Sequence, residues 1–168
     1  MDASSDTLSK VLVVSEAGSA GAFWASRSEG EMVAIAEQRD ELPAQFAQRA
    51  SRRISRLVRE QWRPKLAILA FNDDTTSEAS TARILVARAV LSSMQGGSEG
   101  ELVLTTRASH SQAARHDMFL LAQALCEAQP GLLSVRVDLS GEAALGPGVL
   151  SAAPAAVTAS PSLARMAS

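Results

Sequence analysis

The stretch Leu66-Ala67-Ile68-Leu69-Ala70-Phe71, followed by Asn72-Asp73-Asp74-Thr75-Thr76, decides the fold. Six apolar residues without a polar interruption read as a strand buried on both faces, the habit of parallel sheets. Acids and hydroxyls follow at once, and then an apolar helical segment from Ser77 to Met94. A strand that feeds a helix in this way implies a crossover to a parallel neighbour. In such sheets ligands sit just past the carboxyl ends of the strands. The junction at residues 72–76 is therefore the first candidate site.

Downstream the pattern repeats. Glu101 to Thr105 reads as another buried strand. Ser109 with Gln112 makes a capping-box pattern before a helix that runs to about Ala128. Pro130-Gly131 turns the chain into a last strand, Leu133 to Leu139. Upstream, Lys10 to Val14 and Met32 to Ala36 read as strands, and Ser15 to Gly30 as a loop rich in Ser, Ala and Gly. With no helix between them, these two strands are expected to pair antiparallel, like a hairpin with a long loop. Asp40 is the expected N-cap of a helix from about Glu41 to Gln61, ended before Pro64.

The expected order is thus ββαβαβαβ. It implies an α/β three-layer sandwich, Rossmann-like, with a mostly parallel five-stranded sheet. Residues 10–140 form the single expected domain. Residues 1–9 read as a flexible N-terminus, and 141–168 as a disordered tail rich in Ala, Ser and Pro.

Composition narrows the function classes. The net charge of −2 gives no global pull toward nucleic acid or an anionic membrane. Aromatics are 4% with no Tyr, which is poor material for stacking on bases. A lone Cys126 excludes an intrachain disulfide and a cysteine-rich zinc site. In an apolar helix with no His beside it, this thiol is expected to be inert. No metal site and no cofactor are expected. No apolar run is long enough to span a bilayer, and the acidic start Met1-Asp2-Ala3-Ser4-Ser5-Asp6 lacks the basic residues of a signal peptide. These features lead us to expect a cytoplasmic protein. The Arg-rich, Lys-poor basic complement is associated with GC-rich bacterial coding.

Two clusters could carry chemistry. In Asn72-x-Asp74-x-Thr76 the acids could serve a ligand, or Thr75 with Glu78 could form a capping box while Asp73 and Asp74 favour the helix start. In Thr105-Thr106-Arg107-Ala108-Ser109-His110, free amides and Arg107 could hold an anion, and His110 could act as acid or base. Both clusters fall at the same sheet edge if the strands are parallel. Gly18-Ser19-Ala20-Gly21 lacks the glycine and lysine pattern of a phosphate-cradling loop and leads toward a strand. On the 41–61 helix, Arg49, Arg52, Arg53, Arg56, Arg59 and Arg63 share one side, opposite Phe46, Ala50, Ile54, Leu57 and Val58. That side is either a solvated face or a docking surface for RNA or an acidic partner.

The strand followed by Asn72-x-Asp74-x-Thr76 resembles the first motif of haloacid-dehalogenase-type phosphatases, Asp-x-Asp-x-Thr. The resemblance implies a nucleophile at position 72, an acid/base at Asp74 and a phosphate-binding hydroxyl at Thr105. Asn72 stands where that nucleophile belongs, and an amide cannot form the acyl-phosphate. Both lysines, Lys10 and Lys65, precede the motif, and Asp138 lacks the acidic neighbour that magnesium binding uses. The general layout is similar to universal stress proteins, without their late glycine-rich loop.

The leading expectation is a non-catalytic module, stress-related or regulatory, that acts by protein contacts or by binding a small anionic ligand at Asn72, Asp73, Asp74, Thr105, Arg107 and His110. One alternative is a phosphoryl-transfer or hydrolytic enzyme built on Asp74, Thr105, Arg107 and His110. The other is docking through Arg49, Arg52, Arg53 and Arg56. The sequence does not set an oligomeric state.

Overall fold

The structure is a computed structural model, and it describes residues 10–27, 30–94, 100–106, 111–128 and 134–138. The stretches 1–9 and 141–168, together with Arg107, Ser109 and His110, lie outside the described residues. The elements are β1 (Lys10–Ser15), α1 (Gly21–Arg27), β2 (Glu31–Ala36), α2 (Pro43–Arg59), β3 (Leu66–Phe71), α3 (Ser77–Met94), β4 (Glu101–Thr106), α4 (Gln112–Ala128) and β5 (Ser134–Asp138). The protein is α/β, and the strands form one sheet in the order β2-β1-β3-β4-β5. Every neighbouring pair is parallel.

The expected antiparallel pairing of the first two strands is overturned. Lys10 pairs with Glu31 and Ser15 with Ala36 in a parallel register, and α1 makes the crossover. Its seven residues are too few to show a helical period within a Ser/Ala/Gly background. Packing fixes this helix. Gly18 turns the chain with φ +76°, and a Cβ on Gly21 would collide with the Ser15 side chain. Trp24, 2% exposed, then packs with Ala20 against Val11, Val13, Ile68 and Val103. The Gly18-Ser19-Ala20-Gly21 loop therefore opens a helix, contrary to the expectation from sequence.

The other face of the sheet carries the larger core. Leu12, Val14, Leu69, Phe71, Leu102 and Leu104 meet Phe46, Ile54 and Leu57 of α2, Val86 and Val90 of α3, and Met118 and Leu125 of α4. So α1 covers one face and α2, α3 and α4 cover the other. The alternation explains why β3 reads as an unbroken apolar run: Ile68 faces α1, while Leu69 and Phe71 face α3. Each CH₂ so buried is worth about 0.8 kcal/mol.

Helix α2 begins at Pro43 with Leu42 as N-cap, not at Asp40. Pro43 has no N–H to leave unbonded, which suits it to the first turn. Gln45 reaches back to accept the Leu42 N–H at 3.1 Å. Asp40 has φ +66° and belongs to the turn ahead of the helix. Helix α3 spans the residues expected of it. Helix α4 is capped by Ser111, whose Oγ accepts the Ala114 N–H at 3.2 Å, in place of the expected Ser109.

Candidate functional site

From β1 the chain moves out to β2, then returns past β1 to β3 and onward to β4 and β5. The order therefore reverses beside β1 and β3. In open parallel sheets this reversal leaves a crevice at the carboxyl edge, where ligands bind. A cavity of about 30 Å³ lies there, lined in part by Glu16, Glu37, Phe71, Asn72, Asp74 and Arg83. That volume holds a water or two.

Arg83 is the centre of the cavity wall. It sits on the inward side of α3 and is only 5% exposed. Glu16, the first residue after β1, grips it with two bonds: Nε–H to Oε2 at 2.7 Å and Nη2–H to Oε1 at 2.8 Å. Nη2 also donates to Asn72 Oδ1 at 3.2 Å, and the guanidinium lies 5.1 Å from the centroid of the Phe71 ring. The Asn72 N–H donates to Glu16 Oε1 at 2.9 Å, which closes the network. Burial works against the Arg83 charge. The hydrogen bonds and charge of Glu16, then the charges of Asp74 and Asp117, outweigh it and hold the pKa above the ordinary arginine value.

The side chains after β3 are committed to backbone. Asn72 donates to the Ala17 carbonyl at 2.9 Å and accepts the Asp74 N–H at 2.9 Å. Asp74 accepts the Thr76 N–H at 2.9 Å. Hydrogen bonds from the Thr76 backbone and side chain hold the Asp74 carboxyl below its usual range. Asp73 accepts the Ser111 N–H at 2.8 Å and so ties this turn to the start of α4. Thr76 Oγ1 accepts the Ala79 N–H at 3.3 Å. Thr76 is thus the cap of α3 in place of the expected Thr75, because the two Asx turns from Asn72 and Asp74 set the phase of entry.

Glu37, the first residue after β2, faces the same cavity. Burial raises its pKa, and the charges of Glu16, Glu41 and Asp74 add to the shift, while Arg83 opposes it. The cavity wall therefore carries Glu16, Glu37 and Asp74 against a single guanidinium.

Of the sequence-derived candidates, Asn72 and Asp74 line this cavity and Asp73 lies beside it. Thr105 does not join them. It is 2% exposed and follows Val103 by alternation onto the α1 face, the opposite side of the sheet. Arg107 and His110 lie outside the described residues. Glu16, Glu37 and Arg83 escaped the sequence reading, although each carried a signal. Glu16 and Glu37 stand at carboxyl ends of strands, and Arg83 is a lone charge on the apolar side of α3.

The arginine face of α2 is smaller than expected. Arg49 Nη2 and Nε bind Glu41 at 2.9 Å each, and Nη2 also donates to the Ala36 carbonyl. Arg63 donates to the Ser93 carbonyl at 3.3 Å. Arg52, Arg53, Arg56 and Arg59 are exposed. Cys126 is partly buried, and burial raises its thiol pKa. Among the described residues no group of three or more His, Cys, Asp or Glu is placed to hold a metal, and no helix is long and apolar enough to cross a membrane.

Compared with known proteins, the chain matches no family model and no curated protein at a significant level.

Proposed function

We propose that this chain is a non-catalytic, Rossmann-like cytoplasmic module, stress-related or regulatory, that acts by protein contacts. The observation that carries this reading is how the strand-end side chains are spent. Asn72, Asp73 and Asp74 hold backbone amides, and Glu16 with Asn72 takes the Nε and Nη2 donors of Arg83. This is a scaffold that sets the carboxyl edge. Asp74, kept ionised by its bonds to Thr76, is a poor general acid near neutrality. The surface supports the same reading, since Ile84, Leu85 and Leu120 lie 43%, 46% and 50% exposed on α3 and α4.

A small anionic ligand on the buried Arg83 is the second reading. Such a ligand must enter past Glu37 and Asp74 and share the guanidinium with Glu16. Those carboxylates favour a cation over an anion.

The test is a thermal-shift titration with inorganic phosphate, ADP, ATP and Mg²⁺, beside an assay for p-nitrophenyl phosphate hydrolysis. No saturable shift and no turnover are expected. A ligand at 100 times its Kd adds about 2.7 kcal/mol of stability. A saturable rise of that size, or hydrolysis lost in Asp74→Asn, overturns the contact reading.

A further inference from the structure

Helix α3 mixes apolar and polar residues around its circumference, and apolar Ile84 and Leu85 fall on its exposed side. In the single chain it is buried on one side. It packs along α2 and barely touches α4. Between α3 and α4 a groove of about 220 Å³ stays open, lined mainly by Ile84, Leu120, Leu121 and Ala124, with Arg83 in its wall and Ser80 Oγ donating to Asp117 Oδ2 at 3.2 Å.

The outward stripe of α3 has a definite order. Glu78, Thr81, Leu85, Arg88 and Ser92 are all exposed and follow one another at alternating spacings of three and four, so they lie along one face of the helix with Leu85 at its middle. Acid stands near the start of this face and base near its end, about 15 Å apart at the helical rise. Neither Glu78 nor Arg88 forms an ion pair among the described residues.

We infer that a second copy of this chain docks on the α3–α4 face, with the two α3 helices antiparallel about a two-fold axis beside residue 83. The inference rests on the contact reading above and names its partner. A two-fold axis makes the surface self-complementary, so any contact from one copy is repeated by the other. Set antiparallel about residue 83, Arg88 of each copy meets Glu78 of the other, and Leu85 meets Thr81. A parallel arrangement would stack Glu78 on Glu78 and Arg88 on Arg88. The groove beside Ile84 then gives the apolar side chains of the second copy a place to seat.

Sedimentation velocity on the full chain, from about 1 to 100 μM at low salt, gives the test, since salt screens exposed charge pairs. The expected result is a concentration-dependent species of twice the chain mass. Leu85→Glu and Arg88→Glu should each shift the midpoint at least tenfold toward monomer, with unchanged thermal unfolding of the dilute monomer. Combining Glu78→Arg with Arg88→Glu should restore the dimer. Two results overturn the inference: a monomer throughout, which leaves the face to a foreign protein, or a dimer indifferent to Leu85→Glu. Failure of the double reversal to restore what Arg88→Glu removes overturns the antiparallel pairing. Ligand binding in the thermal-shift titration would instead defeat the contact reading, so the two failures can be told apart.

Discussion

Helices α2 and α3 lie side by side on one face of the sheet, yet each is close to the inverse of the other. Helix α2 buries Phe46, Ile54 and Leu57 and sends Arg52, Arg53, Arg56 and Arg59 to solvent. Helix α3 buries Arg83 and exposes Ile84 and Leu85. Folding of the single chain satisfies α2 completely. It leaves α3 with a charge inside, held by one carboxylate, and apolar surface outside. Where function places demands on a structure, local rules are the ones that give way. The inner face of α3 thus depends on an ion pair, and its outer face leaves apolar side chains in water.

The comparison breaks most sharply on the two arginine pairs. Glu16→Ala strands the buried Arg83 charge and should cost about 3–5 kcal/mol. Glu41→Ala frees Arg49, which is 38% exposed, and should cost less than about 1 kcal/mol. Urea unfolding of the two variants measures both. Equal costs would show that the inside and outside arginines are not different in kind.

The caps test the same contrast at a smaller scale. Thr76 gives α3 a hydroxyl cap, whereas Leu42 gives α2 none. Thr76→Ala should lose about 1 kcal/mol, and Leu42→Ser, at an exposed position with extended backbone, should gain some tenths of that. Thermal midpoints would resolve the opposite signs.

The smallest effect concerns Glu37. Its pKa is raised by burial and by Glu16, Glu41 and Asp74, so its ionised form is disfavoured in the fold. The penalty is present at neutral pH and fades as pH falls through the carboxylate range. Glu37→Gln should therefore melt slightly higher than the parent chain at pH 7. The gap should close as the solution is acidified.

How much of this was legible follows the range of the interactions involved. The limits of β3 and α3 could be read from residues 66–94 because an unbroken apolar run of strand length meets a cluster of acids and hydroxyls that marks the helix start. The crossover α1 was not legible. Seven residues show no period, and the contact that seats them, Gly21 on Ser15, is a matter of tertiary packing. The strand-end residues Asn72 and Asp74 were legible by position, but their commitment to backbone was not. That depends on turn geometry finer than a spacing rule. The Arg83–Glu16 pair joins residues 67 apart, and no local pattern links them.

That pair has a consequence for the sheet itself. Side chains alternate along a strand, so a slip of one residue between β1 and β3 would send Glu16 toward the α1 side of the sheet. Arg83 would then keep Asn72 but lose its carboxylate in the layer beneath α2 and α3, at a cost of several kcal/mol. The apolar residues of β1 and β3 divide between the two core clusters, and the guanidinium adds a charge constraint to the same register. Charge thus joins hydrophobicity in proofreading the register of the two central strands.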